Sequence, residues 1–139
     1  MDTKGKFSQN LEILQPKGRP SIMQKDLRVF VSASYKMKPN HSNAENDYGA
    51  ILIPKETSDA PARGFGFALK LGHDNLRKYN MDVSGYRVNS ESGKPATSTG
   101  RRIGCRENQL EYQIQTEKGL SGSPVFMPYE GHETVVAIQ

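Results

Sequence analysis

Where apolar residues cluster along this chain they mostly recur at every second position, which is the period of a strand with one buried face. Leu27-Arg28-Val29-Phe30-Val31-Ser32-Ala33 sets Leu27, Val29 and Val31 on one side, and Leu110-Glu111-Tyr112-Gln113-Ile114 alternates in the same way. Asn10-Leu11-Glu12-Ile13-Leu14 is a shorter case, within a largely polar stretch, residues 1 to 26, that Pro16, Gly18 and Pro20 break up. Gly49 to Ile53 is continuously apolar until Pro54, the pattern of a strand buried on both faces. Gly64-Phe65-Gly66-Phe67-Ala68-Leu69 alternates glycine with aromatic, and Met81-Asp82-Val83 runs into a corner at Gly85-Tyr86. Val125-Phe126 and Val135-Val136-Ala137-Ile138 face each other across Pro128-Tyr129-Glu130-Gly131, as a hairpin would. Helical signals are confined to one turn, Asn75-Leu76-Arg77-Lys78, with Asp74 as its cap. Lys36 to Glu45 and Asn89 to Gly100, rich in Ser, Asn, Gly and Thr, read as loops. The expected fold class is all-β.

Composition narrows the possibilities. A chain of 139 residues with 35% hydrophobic content supports one modest core, and no apolar run approaches the ~20 residues of a membrane-spanning helix. The first residues, Met1-Asp2-Thr3-Lys4-Gly5-Lys6, lack the apolar centre of a secretory signal. A net charge of +4 raises the question of nucleic acid, but Lys4/Lys6, Lys36/Lys38 and Arg101/Arg102/Arg106 are scattered and interrupted by acids, with no interleaved aromatics. They read as a solvated surface. The single cysteine, Cys105, permits no internal disulfide and reads as a small buried hydrophobe. No metal-ligand spacing and no cofactor motif occurs, so neither a metal nor a cofactor is expected; Ser92-Gly93-Lys94 has the wrong spacing for a phosphate loop and is followed by Pro95.

The candidate chemistry lies in Gly119-Leu120-Ser121-Gly122-Ser123-Pro124-Val125-Phe126. A serine between two glycines, on a tight loop entering an apolar strand, can expose its hydroxyl beside the backbone N–H groups of Gly119 and Ser121. Acyl transfer needs that arrangement of nucleophile and oxyanion donors. The same letters also make an ordinary Gly/Ser/Pro turn between strands. The other serine-hydrolase pattern, G-x-S-x-G followed by a helix, fails because Ser123 stands where its last glycine should be and Pro124-Val125-Phe126 reads as a strand.

G-L-S-G-S-P-V-F resembles the nucleophile loop of chymotrypsin-like serine proteases, and more closely the G-x-S-G-S-P form of glutamyl-endopeptidase-like members. Asn46-Asp47-Tyr48-Gly49-Ala50-Ile51-Leu52-Ile53 resembles the segment carrying the triad aspartate in that family. Val83-Ser84-Gly85-Tyr86 resembles its v-x-G-Y-P strand end, with Arg87 in place of the proline. The three landmarks stand in family order, and 74 residues separate Asp47 from Ser121. The resemblance implies a chymotrypsin-like double β-barrel, here the second barrel plus the last strands of the first. It divides the chain into 1–57, the end of the first barrel with the aspartate segment, and 58–139, the second barrel with the nucleophile loop. Because both barrels and their terminal segments need more chain, it also implies a partial unit.

By the same resemblance, Ser121 is the nucleophile, the N–H groups of Gly119 and Ser121 form the oxyanion hole, and Asp47 orients a histidine base. Asp47 also has a plain alternative as the cap of a turn. The histidine of this family precedes the aspartate in a small-residue motif, which nothing between Met1 and Asp47 matches. His41 lies six residues before Asp47 outside any such context, and His73 and His132 read as loop residues. Leu120 stands where trypsin-like members carry an aspartate that pairs with a newly cut N-terminus, so that activation route is not expected. Thr116 aligns with a pocket threonine of the glutamyl endopeptidases and Gln139 with their pocket histidine. Both can hydrogen-bond a substrate carboxylate, but neither brings a positive charge. Without the family, Thr116 is a β-branched strand residue and Gln139 a fraying terminal one. The implied function is a secreted serine endopeptidase acting on peptide or protein substrates, without a nucleic-acid or membrane partner. A protease-like interaction module without catalysis is the alternative.

Overall fold

The computed structural model describes residues 10–14, 21–54, 64–68, 71–88, 94–106 and 109–139, the side chains of Gln24, His41 and His73 excepted. Its contacts gather into two units, Met1–Ala62 and Arg63–Gln139. The linker expected at 58 to 62 lies outside the described residues. The chain is mostly β, and its largest sheet curls into a half-barrel.

In the first unit, β1 (Glu12–Ile13) pairs with β2 (Ile22–Met23), and β3 (Arg28–Val31) pairs antiparallel with β4 (Gly49–Leu52). The expected loop between β3 and β4 is instead a short helix, α1 (Ala33–Met37), followed by a 3-10 segment, His41–Asn46. Local side chains account for this. Ser32 caps α1 by accepting from the Tyr35 N–H, and the Asn43 amide donates to the Ser34 and Lys38 carbonyls at 2.9 and 3.0 Å, closing the free end of the same helix. β4 corrects another expectation. Ile51 and Leu52 are exposed, as are Val29 and Phe30 opposite them, because a two-stranded ribbon offers no second layer to cover either face.

The second unit is built on β5 (Gly66–Phe67), α2 (His73–Lys78), β6 (Met81–Gly85), β7 (Ala96–Arg106), β8 (Gln109–Gln113), β9 (Pro124–Tyr129) and β10 (His132–Ile138). The sheet order is β5-β10-β9-β6-β7-β8, antiparallel except for the β5–β10 pair. Strands β6, β7 and β8 follow one another as neighbours, and β9 returns to lie beside β6. That 4-1-2-3 arrangement is a Greek key. β7 begins inside the stretch read as a loop, because its Thr/Ser/Gly composition hides a regular alternation of exposed and half-buried positions. Cys105, on this strand, is half-buried rather than buried. α2 starts two residues earlier than expected, with Gly72 at its cap position and Asp74 in the first turn.

Met81 and Val83 of β6 and Val125 and Met127 of β9 are fully buried and form the core with Leu76 of α2. Alternation produces this directly: in both strands the odd-numbered residues point inward, and Val83 sits opposite Val125 in the register. Between β9 and β10, Glu130 and Gly131 have φ of 49° and 79°, the two left-handed positions of a type I′ hairpin turn. The hairpin is therefore tighter than the four-residue turn expected, with Pro128 and Tyr129 belonging to β9. Its register fixes both ends of the segment that follows the candidate nucleophile.

Candidate active site

Two successive glycine turns shape the loop from Glu117 to Ser123. The Leu120 N–H donates to the Glu117 carbonyl at 3.2 Å and the Ser123 N–H to the Leu120 carbonyl at 2.9 Å. Gly119 and Gly122, with φ of +103° and +85°, each occupy the third position of their turn, where a type II turn requires positive φ. Ser121 is thereby lifted onto the exposed shoulder of the second turn, while Leu120 and Ser123 on either side are buried, at 2% and 8% exposure. The Gly122 N–H donates to the Gln139 carbonyl at 2.8 Å. Among the described residues, the N–H groups of Gly119 and Ser121 have no acceptor.

The loop is held on two sides. On one, the Val88 N–H donates to the Lys118 carbonyl at 3.1 Å, and Arg87 pairs with Glu117 at 3.3 Å. The Tyr86 carbonyl and the Val88 nitrogen lie so close to Gly119 that a Cβ there would come within 2.7 Å of each. On the other, the Gln139 N–H donates to the Ser123 carbonyl at 3.0 Å and its carbonyl accepts from Gly122. Gln139 therefore does not fray: its backbone continues the β10 pairing alongside the loop. Thr116 is exposed on the segment that leads from β8 into the first turn. Leu120, buried, is an apolar anchor of the loop.

In the first unit Asp47 ends the 3-10 segment. Its backbone N–H donates to the Ala44 carbonyl at 3.0 Å, closing that segment, and its side chain is exposed. The Asn46 amide donates to the Asn43 side chain at 2.7 Å, which ties the residue before Asp47 to the α1 cap. The Asp47 carboxylate lies close enough to the Tyr35 phenol of α1 to act on it. Partial burial first, then the carboxylate's hydrogen bonding and charge, push Tyr35 above its ordinary pKa of 10.0. The raised value belongs to the folded state, so the associated stability is complete below about pH 10 and is lost as pH rises through the folded-state value. Replacing Asp47 with asparagine removes the charge. Tyr35 should then ionise at lower pH, seen as an earlier rise in tyrosinate absorbance against the parent protein; an unchanged titration would show that the carboxylate does not reach the phenol.

His41 opens the 3-10 segment that Asp47 closes, but its side chain lies outside the described residues, as does that of His73. His132 is exposed at the start of β10. Sequence reasoning missed the roles of Tyr35 and Asn43. The 12-residue spacing from Tyr35 to Asp47 carries no helical or strand period that would bring them together. Among the described residues there is no cluster of three or more metal-ligating side chains, and no helix is long and apolar enough to cross a membrane. Comparison with known protein families, with curated proteins and with solved structures returns no match.

Proposed function

We propose that this chain carries the nucleophile-bearing part of a chymotrypsin-like serine endopeptidase of glutamyl-endopeptidase type, the second barrel and the last strands of the first. The observation that carries the reading is the loop itself: its two glycine turns leave the Gly119 and Ser121 N–H groups without acceptors among the described residues, beside an exposed Ser121. The Greek-key order of the sheet accords with one barrel of such an enzyme. Ser121 Oγ would attack the scissile carbonyl, and the two N–H groups would receive the negative charge that develops on its oxygen. Asp47 would orient the histidine that accepts the serine proton. Thr116 and Gln139 would contact the side chain before the scissile bond and favour polar residues, with a modest preference for acids. Secretion is implied by the family resemblance alone.

The second reading, a protease-like module that binds peptides without cleaving them, draws on the Tyr35 phenol beside Asp47, which gives the carboxylate a neighbour other than histidine.

Labelling with an alkyl fluorophosphonate tests the first reading. No histidine of this chain stands in the family motif, so labelling should be slow. Even so, oxyanion donors are worth ~10²–10³ in rate, and the adduct should form at Ser121 at least about tenfold faster than at an exposed helical serine such as Ser34. The Ser121→Ala variant should lose it. Equal labelling of Ser121 and Ser34 would remove the oxyanion hole and leave the binding module. A fast burst would instead place a base within this chain, with His41 the residue to vary.

A further inference from the structure

We infer that Gly85 and Ser123 form a steric key that sets the nucleophile loop, making Gly85 a positioning residue for the acyl transfer proposed above. The catalytic meaning of the key rests on that proposal; the key itself does not. Gly85 ends β6 with no positive φ, so its backbone would accept alanine. The obstacle is space. A Cβ at Gly85 would overlap Ser123 Oγ outright, and even with that hydroxyl rotated away it would stand 3.1 Å from Ser123 Cβ and 3.0 Å from Leu120 Cδ2. The two buried residues of the loop thus rest on the one position of β6 that lacks a side chain.

The contact matters because Gly85 is continuous in the chain with the residues that grip the other half of the loop. Residues 86–88 bear on the first glycine turn, through the approach of Tyr86 and Val88 to Gly119 and the bond from Val88 to Lys118. Gly85 bears on the second, which carries Ser121. A single corner therefore spaces the two turns, and with them the Gly119 N–H and the Ser121 N–H and Oγ. Pushing Ser123 outward would move the second turn while the first stays bonded to Val88, and the two oxyanion donors would separate. A displacement of about 1 Å in such a constellation can cost on the order of 10²-fold in rate.

The experiment compares Gly85→Ala, Ser123→Gly and the double variant, using amide chemical shifts of residues 119–123 and phosphonate labelling at Ser121. Gly85→Ala should shift the loop amides, leave those of β7 and β8 residues 101–113 in place, and lower labelling at Ser121 by roughly ten- to a hundredfold. Ser123→Gly added to it removes the obstructing side chain and should restore both readouts. If Gly85→Ala fails to fold, recovery of a folded protein in the double variant supports the key equally. Unmoved loop amides in Gly85→Ala, or a double variant no better than the single one, would overturn it. Shift and rescue in the amides, with Ser121 unreactive even in the parent protein, would support the key and count against the protease reading alone.

Discussion

Alanine at Gly119 should lower the stability of the second unit by about 3 kcal/mol. For a unit of this size that corresponds to a fall of roughly 12–24 °C in melting temperature. Two costs add at this position. A φ of +103° lies where a Cβ is strained in any surroundings, and the new methyl would also stand 2.7 Å from the Tyr86 carbonyl oxygen and the Val88 nitrogen. Both neighbours are backbone atoms, and Val88 is bonded to Lys118, so neither can swing aside as a side-chain tip would. Gly122 is the internal control. Its φ of +85° carries strain of the same kind, but nothing lies within 4 Å of its missing Cβ, so alanine there should cost only about 1 kcal/mol. Thermal melts of the two variants decide the matter. Equal losses would mean that residues 86–88 do not press on Gly119, and that the loop is not rigidly held on that side.

That contrast marks the limit of what the sequence allowed. The letters Gly119, Ser121 and Gly122 announce a turn with an exposed serine, and the turn is there. Nothing in them says that Gly119 is hemmed in by residues more than thirty positions earlier while Gly122 faces open space. β6 and β9 were legible as strands, but their shared core was not, because Val125-Phe126-Met127 is an unbroken apolar run and only the pairing of β9 with β6 decides which of its faces is buried. β7 was not legible as a strand, since a run of Thr, Ser and Gly has the composition of a loop, and its strand character depends on pairing with β6 and β8. β4 misled in the opposite direction: five apolar residues in a row suggest a strand covered on both sides, but coverage is a property of neighbouring layers, and β3 and β4 pair only with each other. For Gln139 the sequence left a pocket residue and a fraying end both open, because position in a sequence says nothing about ladder bonds; the β10 register carries its backbone to Ser123. For Asp47 the turn was foreseeable and the Tyr35 phenol was not, because that approach depends on Asn43 binding α1 to the 3-10 segment, a purely three-dimensional event.

Truncating Met127 to alanine should cost about 2–5 kcal/mol, out of a total that for fewer than eighty residues is only about 4–12 kcal/mol. Met127 is fully buried in β9 and belongs to the same core as Leu76, Met81, Val83 and Val125, so its removal opens a cavity in the largest apolar cluster of the unit. The effect should extend to the candidate site. Val125, two residues nearer Ser121, is held by packing against this same core and by its register with Val83, and those contacts give the nucleophile loop a fixed exit. Loosening them should broaden the amide signals of residues 119–123 below the melting transition, before β7 and β8 respond. Phe67 provides the comparison: it is larger and equally apolar, but 82% exposed, so Phe67→Ala should change stability by no more than about 0.5 kcal/mol. Urea titrations of the two variants separate the cases. If Phe67→Ala proved as costly as Met127→Ala, burial in this sheet would not be what stabilises the unit, and the dependence of the Ser121 loop on the β6–β9 core would fall with it.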